Sequence, residues 1–166
     1  MPDEITLFSE CYADTALVGL LAKQNQTVEH VAGINEVAKA LIHVAANEGK
    51  AIGIVDNDKQ KPLYFDTFEV VVDEHRVCLR RNLTSNQFLV VIDKAIESFL
   101  LWNAVQVGIE IATYGFNEDV KVIRRRLKTF TIETDPNYLQ LLADLYARQA
   151  PGFLTLERIL NDLIIT

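Results

Sequence analysis

Apolar positions in the first third of the chain alternate between short runs and helical stripes. Ile5 to Ser9 is a brief apolar run, and Ala13, Leu17, Leu20 and Leu21 then recur at helical spacing through about Lys23, which predicts a strand followed by a helix. Val28 to Val31 repeats the strand pattern, and Val37, Ala40, Leu41 and Val44 repeat the helical one over about Asn35 to Ala46. Ala51 to Val55 is continuously apolar between Lys50 and Asp56, the signature of a strand covered on both faces. Strands alternating with helices over so short a stretch predict a parallel sheet with right-handed crossovers.

The pattern changes after this point. Phe68 to Val72 and Val77 to Arg80 are separated only by Asp73-Glu74-His75-Arg76, too short for a crossover helix, so they predict an antiparallel hairpin. Phe88 to Ile92 reads as a further strand, followed by a helix over about Lys94 to Ile111 with Ile96, Phe99, Leu100, Asn103 and Val107 on one face; Trp102 is expected in its core. Beyond Gly115 the chain reads as helical. Asp135-Pro136 supplies an N-cap and a first-turn proline, Pro151-Gly152 is expected to stop that helix, and Leu156, Ile159, Leu160 and Leu163 mark the last one. The expectation is one α/β domain over 1–166, with a core over about 4–93 and a helical extension over about 94–166 packed on it. The apolar stripes of the two terminal helices must cap the sheet or form a homodimer interface, and capping is favoured because a parallel sheet has two faces to cover.

With 166 residues, 49% of them apolar, the chain needs no metal or disulfide to build a core. Its formal charge of −7 excludes the broad basic surface of a protein that coats nucleic acid and leaves only local or cation-mediated contact. Cys11 and Cys78 have no paired spacing, so they predict neither a zinc site nor a redox motif. The acidic opening Met1-Pro2-Asp3-Glu4 and the absence of a run long enough to span a bilayer predict a cytoplasmic protein without a membrane partner.

Candidate chemistry centres on Asp56-Asn57-Asp58. Residues two apart in extended chain share a face, so the two carboxylates fall together at the carboxyl end of a buried strand, where open parallel sheets bind ligands. The plain alternative is a polar turn rich in Asx residues. Glu10 ends the first strand and therefore converges on the same edge, with Asp14 following near the start of the first helix. A calcium loop beginning at Asp56 is excluded, since Lys61 and Thr67 stand where glycine and glutamate are required.

Glu10-Cys11-Tyr12-Ala13-Asp14, His30-Val31-Ala32-Gly33 and Ile54-Val55-Asp56-Asn57-Asp58, in this order and separated by helices, resemble the TOPRIM fold of topoisomerases, primases, OLD-family nucleases and small stand-alone proteins. The resemblance covers roughly residues 4 to 60, with Cys11 where the family usually has glycine. It implies magnesium- or manganese-dependent phosphodiester chemistry, with Glu10 as the catalytic residue and Asp56, Asp58 and Glu10 as metal ligands. It further implies Asp14 as a second-shell or second-metal candidate, with Glu97 and Asp93 as candidates for a further acid, and Gly33 as a phosphate-binding candidate; Lys59, next to the aspartates, is a phosphate-binding candidate or a solvated turn residue. A small nuclease acting on nucleic acid or a nucleotide is the function so implied. The alternative is a non-catalytic module that binds a nucleotide, a nucleic-acid end or a protein partner. The basic stretch Arg124-Arg125-Arg126 with Lys128 reads as a solvated helix face, with a polynucleotide path as the alternative, and His30 as a structural or surface residue.

Overall fold

The computed structural model describes residues 4–23, 26–57 and 60–165. The alternation read from the first third of the chain is present as β1 (Thr6–Ser9), α1 (Tyr12–Leu21), β2 (Thr27–His30), α2 (Ile34–Ala46) and β3 (Ala51–Asp56). β1 pairs in parallel with β2 on one side and β3 on the other. A 3-10 turn, Leu63–Thr67, leads into β4 (Phe68–Glu74) and β5 (Val77–Asn82), and β6 (Gln87–Ile92) lies parallel to β3 and antiparallel to β5. The six strands run in the order β2-β1-β3-β6-β5-β4, an α/β sheet that is parallel except for the hairpin at one edge.

Side-chain alternation along the strands divides the interior in two. Leu7, Ile52, Ile54, Val90 and Ile92 point to one face, where they pack against Leu17 and Val18 of α1 and against the C-terminal helices. Phe8, Val55, Leu89 and Val91 point to the other, beneath Val37 and Leu41 of α2 and Phe65 of the 3-10 turn. The central strands β3 and β6 are buried along their whole length, which is why their sequences are apolar without interruption.

The hairpin is tighter than its sequence suggests. Glu74 pairs with Val77, leaving His75 and Arg76 as a two-residue loop with φ of 50° and 65°. Those angles belong to the turn that favours asparagine and glycine, so side-chain contacts must offset the strain. His75 Nδ1 lies 2.9 Å from Thr155 Oγ1, and the Arg76 guanidinium sits 5.3 Å from the centre of the Trp102 ring. Trp102 is accordingly half-buried beneath an arginine, a correction to its expected place in the core.

The C-terminal part comprises α3 (Ile96–Val107), α4 (Val120–Leu127), α5 (Pro136–Ala147) and α6 (Pro151–Ile165). Asp135 caps α5 by accepting from the backbone N–H groups of Asn137 and Tyr138, with Pro136 at the first helical position. Pro151 does not stop α5, which ends at Ala147; it opens α6, where the missing N–H of a first-turn proline costs nothing. The apolar stripes Leu141, Leu142 and Leu145 of α5 and Leu156, Ile159, Leu160 and Leu163 of α6 are buried on the sheet face that carries α1. Tyr138 is fully buried and donates from its hydroxyl to Ala13 O at 2.8 Å, tying α5 to the start of α1.

Where α6 meets α3, Phe153 stacks on Phe99 with ring planes 2° apart. Asn103 Oδ1 accepts from the Gly152 N–H at 2.8 Å. A Cβ at Gly152 would lie 2.6 Å from both Phe99 Cε2 and Asn103 Nδ2, side chains fixed in a close-packed interior. Gly152→Ala is therefore expected to lower stability by about 1 to 3 kcal/mol through overpacking. Denaturant unfolding checks this, and an unchanged midpoint would mean that α3 and α6 accommodate the methyl group.

Candidate active site

The carboxyl ends of the parallel strands open into a cleft of about 250 Å³, lined by Glu10, Tyr12, Gly33, Asp56, Glu97 and Arg124 among others. Each acid reaches it for a local reason. Glu10 follows the last residue of β1 and continues its ladder, donating its N–H to Ile54 O at 3.2 Å. Its side chain turns back across the strand ends, and Glu10 Oε2 accepts the backbone N–H of Asp56 at 3.1 Å. Glu10 is therefore braced against the residue whose carboxylate shares the cleft with it. Asp56 is the last residue of β3, paired with Ile92 of β6, so its position is fixed from both sides of the sheet. Both acids are buried.

Glu97 enters from the first turn of α3, immediately after β6, and is 2% exposed. Its Oε1 accepts from Arg124 Nε of α4 at 2.5 Å. Asp93, the other acid near that turn, is engaged elsewhere, accepting from Asn57 Nδ2 at 3.2 Å. Asp14 does not line the cleft. It is fully buried behind it, where its Oδ2 accepts a hydrogen bond from the Cys11 thiol at 3.0 Å.

Cys11 stands at the N-cap of α1, and its sulfur also accepts from the Asp14 N–H at 3.5 Å. Cys11 thus does the work of a cap, and the Asp14 carboxylate three residues on accepts the hydrogen bond of its thiol. Burial, reinforced by the Asp14 carboxylate, pushes the Cys11 thiol far above its ordinary range. It stays protonated at neutral pH and offers no thiolate nucleophile. The Tyr138 hydroxyl is likewise raised, first by burial and then by Asp14.

Gly33 lines the cleft at the N-cap of α2, with φ of +99° that favours glycine and no side chain between the helix end and the cavity. Asp58 and Lys59 lie outside the described residues. Three cleft residues carry more than their sequence suggested. His30 stacks on Tyr12 with ring centroids 3.8 Å apart, an aromatic rim at the end of β2. Arg124 and Lys128, read as part of a solvated face, are exposed and also line the cleft, Arg124 beside Glu97. Their spacing of four residues was the available signal, since it places both on one side of a helix.

The donor set of Glu10, Asp56 and Glu97 is all oxygen, which suits a hard cation. Among the described residues no three metal-ligating groups converge closely enough to cage an ion by themselves. Magnesium is commonly held by one or two carboxylates, with waters and substrate phosphate completing its shell, and the cleft fits that mode. Also among the described residues, no helix is long and apolar enough to cross a membrane. Comparisons of the chain with protein-family models, with curated proteins and with solved structures find no match.

Proposed function

We propose that the chain is a magnesium- or manganese-dependent enzyme of phosphodiester chemistry, a small TOPRIM-type nuclease. The observation that carries this reading is the contact between Glu10 Oε2 and the Asp56 N–H, which joins two strand-end acids in one cleft. In this reading Asp56 and Asp58 hold the cation, and Glu10 moves the proton between the attacking or leaving oxygen and solvent. The cation would bind phosphate oxygens and neutralise the charge that develops on them. Glu97 takes part from the α3 side, and Gly33 leaves the amino end of α2 open to a phosphate oxygen. The free thiols Cys11 and Cys78 support a reducing compartment, such as the cytoplasm.

Purified protein incubated with manganese and end-labelled single and double strands is expected to release shorter products, and chelator is expected to stop it. A protein that binds these strands but leaves them intact under all metal conditions would overturn the enzymatic reading. One observation favours a second reading. Glu97 has a cationic partner in Arg124, so part of the cleft's negative charge is balanced by the protein itself. This is compatible with a non-catalytic module that holds a nucleotide or a nucleic-acid end.

A further inference from the structure

The basic stretch of α4 divides in the fold according to where each side chain goes. Arg126 is structural: it donates to Gly115 O at 2.7 Å and to Asp135 Oδ2 at 2.9 Å, and lies 3.9 Å from the centre of the Phe116 ring. Burial would raise the Asp135 carboxyl, but the hydrogen bonds from Arg126 and from the N–H groups of Tyr138 and Asn137 outweigh it and hold the group below its usual range. Arg125 is exposed and does not line the cleft. Arg124 and Lys128 do line it, one helical turn apart, while Ile123 and the intervening Leu127 are buried and anchor α4 to the core.

We infer that α4 is the anion-binding wall of this cleft, with Arg124 and Lys128 taking the phosphate group of a ligand about the size of one nucleotide. The inference rests on the cleft being the ligand site proposed above, and it does not require that a metal be bound there. Three features support it. The chain carries −7 overall, so a phosphate is drawn in only where cations are concentrated, and these two line the same cavity as Glu10 and Asp56. Arg124 is oriented by its ion pair with buried Glu97, and an oriented guanidinium loses less freedom when it takes a tetrahedral anion. The cavity, about 250 Å³, lies just under the roughly 300 to 1,000 Å³ of typical small-ligand sites, which suits one phosphate-bearing unit. Phosphate on a free nucleotide and phosphate at a strand end present the same chemistry to this wall.

Titration calorimetry with adenosine monophosphate and with a terminally phosphorylated oligothymidylate tests the inference and distinguishes the two sources. Both Arg124→Ala and Lys128→Glu are expected to weaken binding roughly tenfold or more, the loss of a charge-assisted hydrogen bond, while Arg125→Ala binds like wild type. Lys128→Glu guards against a folding defect in Arg124→Ala, which leaves Glu97 without this arginine. Equal affinity in Lys128→Glu and wild type, or no binding of either probe to wild type with or without manganese, overturns the inference. A parallel manganese titration separates the two readings. Phosphate binding that depends on α4 in a protein that takes up no manganese sustains this inference and removes the metal. Manganese uptake with phosphate binding indifferent to α4 does the reverse.

Discussion

Replacing Glu10 by glutamine is expected to reduce metal-dependent cleavage about a hundred- to ten-thousand-fold, the usual contribution of a positioned acid or base. The substitution is informative because of what it preserves. Glu10 Oε2 accepts the Asp56 N–H at 3.1 Å, and a glutamine amide oxygen can accept the same bond. The turn after β1 and the end of β3 therefore stay in place, while the charge and the exchangeable carboxyl proton are lost. The melting temperature is expected to remain close to wild type. Rates measured over the manganese range, beside a thermal melt of each protein, check this. A variant that folds and cleaves like wild type would remove Glu10 from the chemistry.

Truncation after Tyr138 is expected to abolish folding, the largest structural effect anticipated for this chain. Most of α5 and all of α6 would be lost, including Leu141, Leu142, Leu145, Phe153, Leu156, Ile159 and Leu160, each at most 3% exposed. Fully burying one such side chain is worth about 1.5 to 3 kcal/mol. A few of them equal the whole net stability of a typical domain, which is about 5 to 15 kcal/mol. These side chains belong to the same buried cluster as Leu17 of α1 and Ile52 and Ile54 of β3, so the deletion would open that core. Insoluble protein, or soluble protein without a cooperative transition, is the expected outcome in expression and melting trials. A soluble truncated protein with a cooperative melt would instead make the two helices a dispensable assembly element.

The elements that were legible in the sequence are those whose pattern has a single physical cause. The continuous apolar run at Ala51 to Val55 can only be a segment buried on both sides, and β3 is the middle of the sheet. Asp135-Pro136 carries its own capping chemistry, and α5 begins there. The strand-end position of Glu10 and Asp56 followed from parallel topology alone. What was not legible depends on how distant elements dock. Nothing near Arg124 in the chain indicates that α4 will bring it within 2.5 Å of Glu97, and the adjoining arginines suggested a uniform solvated face. Asp14, near the start of the first helix, read as a first-turn charge against the helix dipole or as a second-shell or second-metal acid. The inward turn of the start of α1, fixed by the Cys11 cap and by Tyr138 donating to Ala13, buries it behind the cleft. Trp102 sits among apolar helix residues, but the neighbour that decides its exposure is Arg76, at the tip of a hairpin whose contact with α3 is not local.

The central claim is that acids at the ends of β1 and β3 hold a divalent cation for phosphate chemistry. Calorimetric titration of manganese and magnesium into wild type and into the Asp56→Ala/Asp58→Ala double variant tests it most directly. Wild type is expected to show saturable uptake, accompanied by a rise in melting temperature with metal concentration as ligand linkage requires, and the double variant is expected to show neither. Undetectable uptake by wild type, or equal uptake by a folded double variant, would contradict the claim.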